Sequence, residues 1–511
     1  MSEDSQVSDA EREALLSIAH GAVVTGGGAT LRQALSALTE FVLARGLGPV
    51  LYGVFAFGWR VVGLLLRFVT LGTMGTLQRD VPAFADEPTR RRRVAGLAYA
   101  TTLATGAAIG LGMVLGADWL NAATVAHPEF PVAFRLFAAV ALALGVLRIH
   151  VALLRAVGRA GPAVFLNRVL RPGVRLVTAA GALALGYSVA GVVAGLAAGT
   201  AALVVLAAPV VFERTGVRPT LRGAGAEARD FYDHAVPNAL SGVGKLLQSR
   251  VDVLLIGALL TATAAGIYNV VLLFVAIGAI PLVAFNQLLP PVASGLYSDG
   301  DVETLDAVYT AVTRLIVTTT VPIVAVQLVF GRELLLLFGP SFGRGYLTLV
   351  VFLVGRLVGN AVGATGWLLL MTNHQYVRLA LDWLLGLLNL VLSYLFVLEF
   401  GLVGAALGTS ASLAVQNLIQ VGFLLRLEGL YPFDATFLKP LGAGAAMAAA
   451  MAGLRTALAG PAAIVLGTAV GFVVFVAVLA ALGVNPRDRF VARELAARYR
   501  AAAVDRLVAL R

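Results

Sequence analysis

Cysteine is absent from all 511 residues, which excludes disulfides, thiolate metal sites and cysteine nucleophiles. Lysine is nearly absent as well: of 38 basic residues only Lys245 and Lys439 are lysine. Charge of either sign is scarce, at 13% of residues, where a soluble domain carries roughly 25%. The chain lacks a phosphate-cradling G-x-x-x-x-G-K run, so it is not expected to hydrolyse nucleotides itself. Its histidines, His20, His127, His150, His234 and His374, are scattered without metal-ligand spacing. No metal, cofactor or nucleic-acid partner is therefore expected.

What fills the chain instead is apolar: 59% of residues are hydrophobic and the mean hydropathy is +0.89. No core could hide that much apolar surface, so lipid must be its solvent. Fourteen stretches are long enough to cross a bilayer: 14–43, 49–77, 92–116, 131–157, 163–186, 189–212, 235–259, 265–288, 308–329, 345–370, 377–397, 402–425, 437–457 and 461–483. The expected class is an all-α polytopic membrane protein. With the N-terminus in the cytoplasm, the inner connections hold Arg90 to Arg93, Arg155, Arg159, Arg214 to Arg229 and an arginine-rich tail. The outer ones hold only Arg45, Arg332, Arg344 and Arg455. This asymmetry puts both termini inside the cytoplasmic membrane, although the inner loop 289–307 carries Asp299, Asp301 and Glu303 with no basic residue. The N-terminal residues have no basic run or cleavage site, so no signal peptide is expected.

The expected organisation is a first lobe over 1–213, a cytoplasmic linker over 214–233, a second lobe over 234–425, two further helices over 426–484 and a tail over 485–511. In the tail, Arg489, Arg493, Arg500 and Arg506 interleave with Phe490, Val491, Leu495 and Leu507, the pattern of a helix lying on an anionic leaflet. The lobes look like a repeat. Gly53 follows Tyr52 near the start of the second span, whose run ends at Pro82; Gly266-Ile267-Tyr268 opens the eighth, which ends at Pro290-Pro291. Six helices separate the copies, so both share one membrane orientation, and transporters built this way bind cargo between the halves.

The segment Leu38-Thr39-Glu40-Phe41-Val42-Leu43-Ala44-Arg45-Gly46-Leu47-Gly48-Pro49-Val50-Leu51-Tyr52-Gly53 resembles the first-to-second-helix junction of Wzx-type polysaccharide flippases. These belong to the superfamily of lipid II flippases and MATE exporters. Arg79-Asp80-Val81-Pro82, Ser249-Arg250-Val251-Asp252 and Gly266-Ile267-Tyr268 are similar to further family patterns. The resemblance covers the first twelve spans; the last two fit by number alone. It implies a V-shaped transporter of two six-helix lobes that moves a polyprenyl-linked oligosaccharide across the membrane by alternating access.

Charges within spans are costly and usually face a cavity or a partner. A lipid-linked sugar has a phosphate or diphosphate head, and arginine grips phosphate with a planar fork of donors. The candidate cavity cations are Arg32, Arg60, Arg67, Arg148, Lys245, Arg250, Arg314 and Arg356. Arg60 and Arg67 are two turns apart and share a face; the plainer alternative has Arg60 snorkelling and Arg67 on a carbonyl. Arg148 lies near His150, while Arg155 and Arg159 read as headgroup contacts. Asp252 shares a face with Lys245 and is either the neutraliser of Lys245 or Arg250 or a coupling-ion site. Arg314 and Arg356 stand alone in apolar runs. Glu40 with Arg45, and Arg378 with Asp382, read as structural pairs. Pro237, Pro281 and Pro322 are candidate kinks.

The expected function is a flippase for a polyprenyl-phosphate- or diphosphate-linked oligosaccharide, without enzymatic chemistry, serving surface polysaccharide or glycoprotein assembly. Its expected surroundings are the bilayer, the lipid-linked glycan, and the glycosyltransferases, polymerase or oligosaccharyltransferase of the same pathway. One alternative is a MATE-like cation-coupled exporter, which calls for buried carboxylates that are few here. The other is a membrane glycosyltransferase or polymerase. Asp299-Gly300-Asp301 looks like its D-x-D, but no catalytic domain surrounds it, and a loop turn is the simpler reading.

Overall fold

The computed structural model describes residues 9–248, 251–458, 460–491 and 493–494, with side chains at 9–10, 21, 23–29, 31–32, 240–248 and 251 left aside. The described residues form helices joined by short turns, and no strand occurs among them. In lipid every backbone amide must be satisfied within its own segment, and helices do this. The helices are α1 (Asp9–Val69), α2 (Thr73–Ala83), α3 (Pro88–Ala123), α4 (Phe130–Ala156), α5 (Ala160–Phe165), α6 (Arg171–Ala184), α7 (Val189–Thr215), α8 (Gly225–Gln248) and α9 (Val251–Leu259). They continue with α10 (Ala262–Gly278), α11 (Ile280–Phe285), α12 (Leu289–Ser298), α13 (Val302–Leu336), α14 (Tyr346–Ala361), α15 (Thr365–Met371), α16 (Gln375–Glu428), α17 (Lys439–Ala457) and α18 (Pro461–Ala481). Eight helical segments are long and apolar enough to cross a membrane. The protein is an all-helical, multi-pass membrane protein.

Two pairs of expected spans run together as single helices with a sharp turn inside. In α1 the turn is Gly48, at φ 71° and ψ 173°, followed by Pro49. In α16 it is Gly401, at φ 56° and ψ −128°. Both sit where an L side chain is disfavoured and glycine is not. Elsewhere expected spans are broken: α5 and α6 are joined by a π turn at Leu166–Leu170, and α10 gives way to α11 just before Pro281. Pro322 lies inside an unbroken α13. Within the stretch 214–233, α7 continues to Thr215 and α8 starts at Gly225. Asp301 of the D-x-D is a helix cap: its carboxylate accepts from the Thr304 amide at 3.1 Å.

The bundle has a near face, where α1 begins, and a far face, where α1 turns at Gly48. The start of α1 (Leu15, Ile18, Ala22) packs with Phe285, Leu289 and Tyr309 of the second half. Its later part (Leu43, Tyr52, Phe55) packs with α3, α4 and α7 of the first half and with α10. So α1 belongs to both halves. On the far face the repeat positions meet. A Cβ on Gly53 would collide with the Ala262 carbonyl, and one on Gly266 would lie 3.1 Å from the Gly53 Cα.

On the near face the first part of the tail is docked into protein. Val491 is buried against the start of α1, Arg12 lies over the Phe490 ring, and Arg487 pairs with the buried Glu11. Residues 495–511, where the rest of the expected leaflet helix falls, lie outside the described residues. Arg314, read from sequence as a cavity cation, is instead 2% exposed and held by Asp434 and, at 2.7 and 2.9 Å, by Asp488. Removing one side of such a buried pair strands the other charges. Arg314→Met should lower stability by about 3–5 kcal/mol, read as a fall in the thermal unfolding midpoint in detergent. An unchanged midpoint would show the pairs to be dispensable.

Candidate functional site

A cavity of about 460 Å³ is lined mainly by the second half, with Arg67 reaching it from the first. Arg67 of α1 lines it from the first half; Asn286 after α11, Arg356 of α14, Trp367 of α15, and Arg378, Gln416 and Gln420 of α16 line it from the second. Among the described residues the cavity's cationic groups are three guanidiniums and its acidic groups a single carboxylate, Asp382. That carboxylate is already engaged. Both oxygens accept from the Arg378 Nε at 3.0 Å, and Oδ1 also accepts from Gln416 at 3.1 Å. Arg378 is thereby balanced, and Arg67 and Arg356 bring two further guanidiniums to the same wall. The Asn286 Oδ1 is buried without a hydrogen-bond partner. Such a wall suits an anion carrying donors, and an aqueous cation would be repelled.

The positive field continues into the first half. Arg148 of α4 donates to the Leu66 carbonyl at 3.4 Å and lies within electrostatic reach of both Arg171 and Arg67. No carboxylate pairs with Arg148 among the described residues. Arg171 donates to the Asn167 side chain at 3.1 Å. Clustered like charges raise each other's free energy, and an anion that bridges them relieves it.

Toward the far face a polar network joins the halves. Glu40 accepts from Arg175 at 2.7 Å and from the Tyr52 hydroxyl at 2.8 Å. Tyr52 accepts from the Asn269 amide of α10 at 2.6 Å. Arg60 donates to the Asn269 carbonyl oxygen at 2.6 and 2.9 Å. Gln33 donates to the Leu273 carbonyl at 3.0 Å. Behind this network lies a second cavity of about 210 Å³ within the first half. The expected Glu40–Arg45 pair does not form: Arg45 donates to the Leu337 carbonyl at 2.7 Å, five residues having carried it past the carboxylate.

Of the cations singled out from sequence, Arg67 and Arg356 line the main cavity, and Arg148 lies within electrostatic reach of Arg67. Arg60 is tied to Asn269, and Arg314 is locked in carboxylate pairs away from both cavities. The side chains of Arg32 and Lys245, and all of Arg250, lie outside the described residues. Asp252 is buried; it accepts from the Tyr268 hydroxyl and from the Val253 amide at 2.9 Å. His150 faces Tyr99 and Phe212 rather than the cavity. Sequence reasoning passed over Arg171 and Arg175, and took Arg378 as structural only. The signal was present: Arg168, Arg171 and Arg175 recur at three and four residues, one helical face.

The described residues thus form an all-helical bundle with an arginine-lined cavity. The structure shares its fold with two solved proteins. One is a lipid II flippase, MurJ, in an inward closed conformation: TM-score 0.72, 13% identity, covering 90% of this chain and 98% of that one. The other is a multidrug resistance MATE family transporter of the MOP superfamily, facing inward: TM-score 0.64, 19% identity, covering 77% and 96%. The polysaccharide biosynthesis protein family matches residues 18–295, and the chain belongs to that family. A curated relative, the probable low-salt glycan biosynthesis flippase Agl15 of Haloferax volcanii, is 24% identical over 198 residues. The match covers 39% of this chain and 42% of that relative, so it spans less than half of its length.

Proposed function

We propose that this protein is a flippase that carries a polyprenyl-phosphate- or diphosphate-linked oligosaccharide across the cytoplasmic membrane by alternating access. The observation that carries the reading is the main cavity: Arg67 lines it from the first half and Arg356 from the second, and Asp382, its one carboxylate among the described residues, is paired with Arg378. A phosphate held there would be contacted from both halves, so binding would differ between an open and a closed arrangement, as any ligand-driven shift requires. Family membership and the flippase relative support the same reading. An apolar groove of about 470 Å³ beside α5 and α7, with Arg214 at one end, suits a prenyl or acyl chain with its head at the membrane surface.

In this reading the chain crosses the membrane fourteen times, in two six-helix lobes followed by α17 and α18, with the near face in the cytoplasm. The cycle forms no covalent bond to the protein. Asp252 is the candidate for a coupling ion, and the enzymes that build and use the glycan are its pathway partners.

The test is transport in vesicles. Purified protein is reconstituted with a fluorescent polyprenyl-diphosphate oligosaccharide, and a membrane-impermeant glycosidase reports which leaflet holds the sugar. Exposure of sugar from the inner leaflet, faster than in protein-free vesicles, is the expected result. No acceleration, together with efflux of cationic dyes, would replace the flippase with an exporter.

A further inference from the structure

The second cavity, of about 210 Å³, is walled by Gln33, Ser36 and Thr39 of α1, Trp59 further along the same helix, Asn167, Arg171 and Arg175, and Thr200 of α7. This is a dense set of amides and hydroxyls for the interior of a membrane protein, where polar groups left without partners cost free energy. The space equals that of roughly seven waters, too small for an oligosaccharide and adequate for one sugar ring.

From this lining we infer that the second cavity holds the sugar joined to the carrier's phosphate, so that it reads the identity of the first glycan residue; the inference rests on the flippase reading above. Among the described residues no carboxylate lines the cavity, so they offer an organic cation no counter-charge there. Its two arginines are already engaged, Arg175 with Glu40 and the Trp59 face 4.4 Å away, and Arg171 with Asn167. They are therefore poor hosts for a second phosphate, while the Arg175 Nε, buried without a hydrogen-bond partner, can donate to a neutral hydroxyl. Ring hydroxyls both donate and accept at short range, which is what Ser, Thr, Gln and Asn offer. Leu144 of α4 lines the second cavity, and Arg148, one turn further along the same helix, donates to the Leu66 carbonyl beside Arg67, so α4 links the second cavity to the wall that carries Arg67. The Gln33 amide, which lines this cavity, also bonds to Leu273 of the other half. A sugar that competes for Gln33 or for Arg175 loosens contacts that tie the halves together toward the far face.

The test uses full-length protein in lipid nanodiscs and two probes of equal prenyl length: a bare prenyl phosphate, and the same lipid carrying one hexose on its phosphate. Wild type should bind the glycosylated probe at least tenfold more tightly. Ser36→Phe, which fills the space, and Thr200→Val, which removes a hydroxyl at constant volume, should both reduce that preference and leave the bare phosphate unchanged. A preference that survives in both variants overturns the sugar site. So does equal wild-type affinity for the two probes. Wild type that binds neither probe overturns the flippase reading itself. Melting curves of each variant separate misfolding from lost recognition, and a well-folded Thr200→Val with full preference would count against the assignment.

Discussion

Replacing Arg67 and Arg356 together with glutamine should reduce capture of a prenyl phosphate by roughly 10²- to 10⁴-fold, because each charged hydrogen-bond set contributes about 1.5–3 kcal/mol. Glutamine keeps length and some hydrogen bonding, so the loss reports charge. The fold should survive, since both side chains border a cavity. Lysine at the same positions should recover part of the binding, since it restores the charge without the planar fork. Binding to nanodisc-held protein and the vesicle assay should fall in step. Binding that stays within twofold of wild type would remove the phosphate site from the main cavity.

Gly53→Val should act on the conformational balance without touching the ligand site. The new side chain meets the backbone carbonyl of Ala262, which cannot rotate aside. Overpacking of this kind costs about 1–3 kcal/mol, enough to move a two-state equilibrium by roughly 5- to 150-fold. The far-face contact then parts more of the time. Because the chain has no cysteine, spin labels can be placed on cysteines introduced at Val50 and Leu337, both exposed, and the distance between them measured. A longer distance is expected in the variant. Gly63→Val, in the same helix with open space within 4 Å of where its Cβ would stand, should leave it unchanged. The same distribution in Gly53→Val and wild type would show that this contact does not set far-face closure.

The helical class could be read from the apolar runs, since lipid leaves the backbone few alternatives. Gly48 with Pro49 could be read as a turn; that helical hydrogen bonding continues on both sides of it depends on packing at α4 and α10. Arg67 and Arg356 were legible because charges in apolar stretches need a reason. The same logic misread Arg314, whose carboxylates lie 120 and 174 residues away, beyond any local pattern. Glu40 illustrates the same limit: a partner five residues on was plausible, and the structure supplies Arg175, 135 residues on. Arg171 and Arg175 were visible at helical spacing in a span that reads as apolar overall. What joins them to Arg148 and Arg67 is the packing of both α6 and α4 against α1, which no linear pattern encodes.

The buried anchor on the near face also bears on salinity. Debye screening shrinks to about 3 Å in molar salt. The Arg135–Asp118 pair, with side chains 41% and 70% exposed, dissolves into such a medium. Arg314, 2% exposed between Asp434 and Asp488, has no mobile ions around it to do the screening. The hold of the tail segment on α13 therefore persists in brine and in dilute buffer alike, while the surface pairs come and go with the ionic strength.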